Sequence, residues 1–254
     1  MSARSAVLAV IPARFASTRL PGKPLLDRTG TPLIVHVVEA ARRSSRLDRI
    51  IVATDDRRIF DVVRACGAEA MMTRGDHPSG TDRAAEVAAA VAECRVVVNL
   101  QGDEPEIEPA AIDRVVDLLD RDPAASMATV ATPIREESVY RDPSCVKVVV
   151  GAGGRALYFS RSPIPMHRDG VPAGEPLGLL HLGLYAYRRD FLLKLAALPP
   201  SALECTEKLE QLRVLESGEA IAVGVVDERS VGIDTPEDYR RFVERWTRRR
   251  APAA

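Results

Sequence analysis

The sequence has few of the residues that build disulfide frameworks and metal clusters. It contains four cysteines and four histidines in 254 residues. The cysteines form no CxxC pair, and the histidines lack the spacing of zinc ligands. These features argue against a disulfide-stabilised secreted domain and against a zinc site. They fit a reducing cytoplasm, which is the compartment that we expect.

A strong net charge and long apolar runs are also missing. The formal net charge is −1, with 28% charged and 46% hydrophobic residues. A balanced charge argues against a protein that binds nucleic acid through bulk electrostatics. No apolar run approaches the roughly 20 residues that a membrane span needs, and no signal-peptide pattern begins the chain. We therefore expect neither nucleic acid nor a membrane as a partner.

Short β-branched segments alternate with longer helical patterns through much of the chain. Val7–Ile11 and Ile50–Thr54 are predicted strands, each followed by a helical pattern. This order predicts an α/β fold with a three-layer, mostly parallel, doubly wound, Rossmann-like sheet. No linker divides residues 1–254, so we expect one domain with a smaller β-rich insertion at about 133–190. A later helical pattern predicts one helix over Thr206–Ser217.

The most informative segment, residues 11–25, reads IPARFASTRLPGKPL and directly follows the first strand. Ligands of open parallel sheets bind beyond the carboxyl ends of the strands. Arg14 and Arg19 can each grip phosphate oxygens with two hydrogen bonds, and Lys23 supplies a mobile point charge. The segment matches neither a Walker loop nor a dinucleotide fingerprint. We predict that it binds a triphosphate, and a solvated basic loop is the alternative.

Two aspartates occupy positions where strands are expected to end. Asp103 lies in NLQGDEP, just past the predicted strand Val96–Leu100, and Asp234 lies in GIDTPED. Two carboxylates from distant positions could share Mg²⁺, which prefers oxygen ligands and bridges phosphates. The alternative for each aspartate is a turn or a helix cap.

Ten segments occur in order between residues 11 and 238: IPAR, STRLPGKPL, VATDD, PSGTDR, LQGDEP, VKVV, YFSRSPIP, HLGLYAY, LEQLR and GIDTPED. Together they resemble the signature of the 3-deoxy-manno-octulosonate (Kdo) cytidylyltransferases, over nearly the whole chain. The resemblance implies a nucleotidyltransferase fold and Mg²⁺-dependent transfer of CMP from CTP to Kdo, for lipopolysaccharide biosynthesis. It also implies a homodimer, an insertion used for sugar binding and dimerisation, and Asp103 and Asp234 as the metal ligands.

Cytosine must be recognised through hydrogen bonds, and the small polar residues of PSGTDR suit that role. The alternative is that Thr81 or Asp82 only caps the following helix. The predicted nucleotide-binding residues are Pro12, Ala13, Arg14, Arg19, Lys23, Ser79, Gly80, Thr81 and Arg83. The predicted catalytic residues are Arg14, Lys23 and Asp103.

The second half of the chain offers groups for an anionic acceptor. Arg161 could pair with a sugar carboxylate, and His181 and Tyr185 share one face of a predicted strand. A lone histidine on such a strand is more often a core residue. We expect Glu207 and Lys208 to be exposed. With Gln101 taken from the resemblance, the predicted sugar-binding residues are Gln101, Arg161, His181, Tyr185, Glu210 and Gln211.

These features predict an in-line attack of the sugar's anomeric hydroxyl on the α-phosphorus of CTP, without a histidine base. Three alternatives remain. A CMP-sialate or CMP-amino-Kdo synthetase would share the chemistry but differ in its acceptor pocket. A glycosyltransferase that consumes a nucleotide sugar would usually carry a DxD motif, where this chain has QGDEP. A non-catalytic nucleotide-binding protein would bind CTP and release no pyrophosphate.

Overall fold

The computed structural model describes residues 6–16, 19–227 and 231–250. We call residues 11–25, predicted to bind a triphosphate, the phosphate loop. Ser17 and Thr18 of this loop lie outside the described residues. Contacts divide the chain into two compact units. Unit 1 comprises the described residues of 1–94, 99–109 and 230–254, and unit 2 those of 95–98 and 110–229. The predicted insertion at about 133–190 lies within unit 2. The longer of the two segments of unit 2 starts before the predicted insertion, at Ala110.

The helices and strands of the described residues are, in chain order, β1 (Val7–Ala13), α1 (Leu33–Arg42), β2 (Arg49–Thr54), α2 (Arg57–Ala65), β3 (Glu69–Met72), α3 (Gly80–Ala90), β4 (Val96–Asn99), α4 (Pro109–Arg121), β5 (Ala125–Ile134), α5 (Glu137–Arg141), β6 (Lys147–Val150), β7 (Ala156–Ser160), β8 (Gly178–Arg188), α6 (Arg189–Ala197), α7 (Ala202–Glu207), α8 (Gln211–Glu216), β9 (Ala220–Val225) and α9 (Pro236–Arg250). The order confirms the predicted α/β class.

Unit 1 is built on parallel strands joined by helices. β1 pairs with β2, and β2 pairs with β3, all in parallel. Five consecutive residues of β1, from Val7 to Ile11, are almost fully buried, as expected for a strand covered on both faces. α2 begins where the Asp56 side chain accepts a hydrogen bond from the Arg58 N–H at 2.9 Å. It ends before Gly67, whose φ of 72° is the left-handed conformation of a helix terminus.

Unit 2 contains the antiparallel strands. β5 pairs with β9 in parallel and with β8 antiparallel, and β6 and β7 form the predicted hairpin-like pair. The predicted helix over Thr206–Ser217 is wrong, because two short helices, α7 and α8, replace it. Lys208 interrupts the pattern with φ 54° and ψ 51°, a left-handed conformation that an α-helix cannot continue through.

Candidate active site

The loop after β1 carries the predicted phosphate ligands on a defined backbone turn. Gly22 adopts φ 67°, which glycine tolerates best, and its N–H donates to the Phe15 carbonyl at 3.2 Å. A short 3-10 turn, Lys23–Leu25, starts directly after it. The turn leaves the Arg14 and Arg19 side chains exposed, whereas Lys23 is half-buried. The loop therefore offers two exposed guanidinium groups and one directed ammonium group.

Lys23 brings together the two aspartates that the sequence singles out. Its Nζ atom lies 2.7 Å from Oδ2 of Asp103 and 3.2 Å from Oδ1 of Asp234. Arg19 also reaches Oδ1 of Asp234, at 3.0 Å. The Ile233 N–H donates to the Asp103 carbonyl at 2.9 Å, so the two acidic segments are also joined through the backbone. Residues far apart in sequence thus form one cluster of two carboxylates and two cations.

The donor set of this cluster fits Mg²⁺. Both carboxylates already contact one cationic nitrogen, so their oxygens converge on a single point. No group of three or more His, Cys, Asp or Glu residues suited to a metal occurs in the described part of the chain. The remaining ligands would have to be phosphate oxygens and water, which is the usual pattern for Mg²⁺ bound with a nucleotide. Asp103 and Asp234 are the residues that would hold it.

Gly102 sets the position of Asp103. The Leu100 N–H donates to the Val10 carbonyl at 3.0 Å, which keeps the segment after β4 beside β1. At Gly102 a Cβ atom would lie only 2.5 Å from the carbonyl oxygen of Pro12. Real side chains do not approach a backbone atom so closely, so this position requires glycine. Asp103 is the next residue in the chain, so this tight contact fixes the backbone that carries its carboxylate.

Asp234 is held by the start of α9. Thr235 and Asp238 cap this helix reciprocally: the Thr235 N–H donates to Oδ2 of Asp238 at 2.9 Å, and the Asp238 N–H donates to Oγ1 of Thr235 at 3.2 Å. Pro236 occupies the first helical position, where proline is favoured. Because Thr235 and Asp238 complete the cap, the Asp234 carboxylate is available to Lys23 and Arg19.

The predicted base-binding residues lie at the start of α3. Ser79 is the N-cap, and its Oγ accepts from the Asp82 N–H at 3.2 Å, so neither Thr81 nor Asp82 has the capping role considered from the sequence. A Cβ atom at Gly80 would lie 3.5 Å from Cγ of Pro12. The start of α3 therefore adjoins the carboxyl end of β1, beside the phosphate loop.

Arg83, also predicted to bind the nucleotide, points into the interior of unit 1. Only 1% of the residue is exposed. Its guanidinium donates to Oγ1 of Thr73 at 2.5 Å and to Oδ2 of Asp55 at 3.2 Å. Asp55 and Asp56 thus have structural partners, since Asp56 caps α2. A direct contact between Arg83 and a nucleotide would have to displace these internal partners.

Gln101 is half-buried in unit 1, and the other predicted sugar-binding residues lie in unit 2. The Arg161 guanidinium donates to three backbone carbonyls: those of Glu207 at 2.7 Å, Pro143 at 2.9 Å and Lys208 at 3.3 Å. These bonds tie the end of β7 to the turn between α7 and α8. They give Arg161 a structural task in addition to its predicted contact with a sugar carboxylate.

His181 and Tyr185 lie together, as their spacing predicts, with ring centroids 5.4 Å apart. His181 is buried, and its Nε2 is 3.0 Å from Oγ1 of Thr129. Burial lowers the pKa of His181 from 6.5 to about 3. The ring is therefore neutral near pH 7, and any contact with a carboxylate would be a hydrogen bond without a full positive charge.

Glu210 and Gln211 have different environments. Glu210 is exposed at the N-cap of α8, and Gln211 is buried with 4% exposure. The Nε2 atom of Gln211 is buried and has no hydrogen-bond partner within the described ranges. A buried amide group is costly to leave unpaired, so its donor is suited to a bound ligand.

Sequence reasoning missed two residues of this region. Glu207, expected to be exposed, is half-buried, and its carboxylate accepts from Ser160 Oγ at 2.6 Å and from the Arg161 N–H at 3.0 Å. Lys208 is exposed, as predicted. Lys147 is fully buried, and its ammonium donates to the carbonyls of Asp142, Cys145 and Arg161. A lysine inside the apolar run VKVVV is the sequence signal that could have revealed it.

A cationic loop and two converging carboxylates lie at the carboxyl ends of parallel strands. This arrangement is typical of a nucleotidyltransferase site. The model of the family described as "Cytidylyltransferase" matches residues 8–221. The 3-deoxy-manno-octulosonate cytidylyltransferase of Syntrophotalea carbinolica is 52% identical, over 92% of this chain and 96% of the relative. The enzyme of the same name from Geobacter sulfurreducens is 47% identical, over 94% and 98%. The chain therefore belongs to the 3-deoxy-manno-octulosonate cytidylyltransferases.

A solved structure agrees with this assignment. The structure of CMP:2-keto-3-deoxy-manno-octonic acid synthetase complexed with CTP is similar, with a TM-score of 0.91 and 44% identity, covering 96% of this chain and 100% of that chain. The 4-diphosphocytidyl-2C-methyl-D-erythritol synthase of Anaerococcus prevotii has a TM-score of 0.62 at 14% identity, with 96% of each chain covered. The second likeness concerns the fold alone. Among the described helices, none has the length and apolarity required to cross a bilayer.

Proposed function

We propose that this chain transfers CMP from CTP to 3-deoxy-D-manno-octulosonate, giving CMP-Kdo and pyrophosphate in a Mg²⁺-dependent reaction. The observation that carries the proposal is the convergence of Asp103 and Asp234 on the ammonium of Lys23. Cations and paired carboxylates at one strand edge are what a metal-bound triphosphate requires. Membership of the cytidylyltransferase family supports CTP as the nucleotide.

Cations of the phosphate loop bind the triphosphate and stabilise the leaving group. The anomeric hydroxyl of the sugar gives up its proton to water while its oxygen forms a bond to the α-phosphorus, and the bond between the α-phosphorus and the bridging oxygen breaks, releasing pyrophosphate. Negative charge builds up on the departing oxygens, where Arg14, Arg19 and Lys23 supply positive charge. When bound to Asp103 and Asp234, Mg²⁺ would supply further charge stabilisation and lower the pKa of the attacking hydroxyl.

The acceptor is recognised by neutral and polar groups of unit 2. The buried donor of Gln211 and the neutral ring of His181 are suited to sugar hydroxyl groups. Arg161 supplies positive charge for the sugar carboxylate. We further propose that the protein acts in lipopolysaccharide biosynthesis in the cytoplasm and works as a homodimer, as the family resemblance implies. Sedimentation of the purified chain tests the dimer.

The deciding experiment measures pyrophosphate release with each of the four ribonucleoside triphosphates, with and without Kdo or sialate, in the presence and absence of Mg²⁺. We expect release only when CTP, Kdo and Mg²⁺ are present together. A Lys23→Met variant should lose most of the release, and the matched control Lys194→Met should retain it, because Lys194 pairs with Glu219 on the surface. Release that depends on sialate and not on Kdo would overturn the substrate assignment.

A further inference from the structure

Residues 73–78 lead into the predicted base-binding turn, which we define as Ser79, Gly80 and Thr81. This leading segment is fastened to α3 by a side chain of that helix. Oε2 of Glu86 accepts a hydrogen bond from the Arg74 N–H at 3.2 Å and pairs with Nε2 of His77. His77 is buried, with 5% of the residue exposed. One carboxylate therefore holds two points of the segment just before the turn.

Arg83 fastens Thr73, the first residue of the same segment. It lies three residues before Glu86 on α3, so both side chains leave the same side of the helix. Its guanidinium donates to Oγ1 of Thr73 at 2.5 Å, and the Thr73 N–H donates to the Thr54 carbonyl at 2.9 Å. A cation and an anion of one helix thus hold the start and the end of the segment, and the turn begins where this double attachment ends.

The Glu86 carboxylate is well suited to this task. Burial alone would raise the pKa of Glu86, but the hydrogen bonds from His77 and from the Arg74 N–H, with the charge of His77, outweigh it and hold the pKa below its ordinary value. The group is therefore ionised near neutral pH. An ionised carboxylate accepts several hydrogen bonds at once, and such bonds are about twice as strong as neutral ones.

We propose that Glu86 is a positioning residue that fixes the base-binding turn through His77 and Arg74, and that it thereby contributes to discrimination between cytosine and uracil. The inference rests on the proposed function and on the prediction from the sequence that this turn binds the base. Cytosine carries an amino group, a hydrogen-bond donor, at the position where uracil carries a carbonyl group, an acceptor. The two bases therefore require opposite partners from the protein at that position. A turn free to reorient would accept both patterns, whereas a fixed turn leaves groups unpaired with the wrong base.

The test compares Glu86→Ala with wild type in CTP binding by calorimetry and in steady-state turnover with CTP and with UTP. We expect the Kd and KM for CTP to rise about tenfold, as loss of charged hydrogen bonds implies. We expect kcat with CTP to change less than about twofold, because the interaction acts in binding and not on the reacting atoms. The ratio of kcat/KM for CTP over UTP should fall about fivefold or more.

Two further variants separate positioning from simple loss of stability. Glu86→Gln keeps an acceptor for Arg74 and a polar partner for His77, so it should restore most of the CTP affinity and the base ratio. Glu93→Ala, which removes a surface ion pair with Arg49 at 3.1 Å, is the matched control and should leave both unchanged. If Glu86→Ala fails to fold, His77→Leu removes the same pairing, because leucine has no hydrogen-bond donor, and it is expected to give the same loss of base discrimination.

A lower melting temperature in Glu86→Ala with unchanged CTP affinity and unchanged base ratio would overturn the inference and leave a purely structural role. The same holds if His77→Leu, used where Glu86→Ala does not fold, keeps the wild-type base ratio. Failure of the proposed function has a different signature, because wild type itself would then release no pyrophosphate from CTP and Kdo.

Discussion

The Nζ atom of Lys23 lies 2.7 Å from Oδ2 of Asp103, although the two residues are 80 positions apart in the chain. The side chain of Lys23 is only 13% exposed, so this pair is shielded from solvent more than a surface ion pair. Asp234 completes the arrangement from a third segment. Binding of a metal ion to the two carboxylates would require the ammonium to give up its place to the ion. A triphosphate would offer the ammonium an alternative partner, and nucleotide binding would then favour metal binding.

The first prediction concerns the carboxylates. Asp103→Asn and Asp234→Asn should each lower kcat/KM for pyrophosphate release by about a hundredfold or more, the typical loss of transition-state charge stabilisation. Both variants should also weaken binding of Mn²⁺ in the presence of CTP, measured by electron paramagnetic resonance. Glu237→Gln is the control, because Glu237 forms surface ion pairs with Arg240 and Arg241 within α9. Near-wild-type turnover in Asp103→Asn would refute the metal role.

The second prediction concerns the glycine beside Asp103. Gly102→Ala would force a methyl group to within 2.5 Å of the Pro12 carbonyl oxygen, so the backbone must shift. We expect a loss of about 1–3 kcal/mol in the free energy of unfolding. A displacement of the carboxylate by about 1 Å should lower kcat by about a hundredfold.

Gly153→Ala is the matched control for Gly102→Ala, because a Cβ atom there would meet no atom within 4 Å. Its turnover should equal that of wild type. Urea unfolding and pyrophosphate release, measured on both variants, check the prediction. Equal activity in the two variants would mean that the tight contact does not position Asp103.

The sequence predicts the parts of the site that depend on chain order and strand ends. The loop 11–25 follows β1, and Asp103 follows β4, because ligand-binding residues gather at the carboxyl ends of parallel strands. The direction of side chains is not encoded in that way. Arg83 lies in a motif typical of nucleotide contacts, but the face of α3 that carries it is turned to Thr73 and Asp55.

Two features of unit 2 depend on tertiary context that a local pattern does not contain. Lys147 is tolerated in the core because three carbonyl oxygens, two from the loop before β6 and one from Arg161 after β7, satisfy its ammonium group. The left-handed Lys208 divides a continuous helical pattern, and its carbonyl accepts from Arg161. The helical periodicity of a sequence reflects which side chains are buried. A change of backbone conformation at one exposed residue, such as Lys208, does not alter that periodicity.

The third prediction concerns the unpaired amide of Gln211. Gln211→Leu should raise KM for Kdo about fivefold to tenfold, because the sugar loses a buried hydrogen bond. The KM for CTP should not change. The melting temperature should not fall, since the buried Nε2 atom has no partner among the described residues and an apolar side chain of similar size removes the cost of burying it. A lower melting temperature with an unchanged KM for Kdo would show that Gln211 serves the core instead.

The fourth prediction follows from the buried ring of His181. Its pKa is about 3 in the folded protein and 6.5 as the ordinary value, so the unfolded chain binds a proton first as the pH falls. The free energy of unfolding should therefore decrease below about pH 6.5, by up to about 1.4 kcal/mol per pH unit, and be independent of His181 above it. By about pH 5 the cost is about 2 kcal/mol.

His181→Gln keeps a polar partner for Thr129, which lies 3.0 Å from the ring nitrogen, and removes the titration. Urea unfolding of wild type and of this variant at about pH 7 and about pH 5 isolates the effect, because all other titrating groups are shared. The loss of stability between the two pH values should be about 2 kcal/mol larger in wild type than in the variant. Equal losses would mean that His181 takes up its proton in the folded state, and that the ring is accessible to a charged form that could pair directly with the sugar carboxylate.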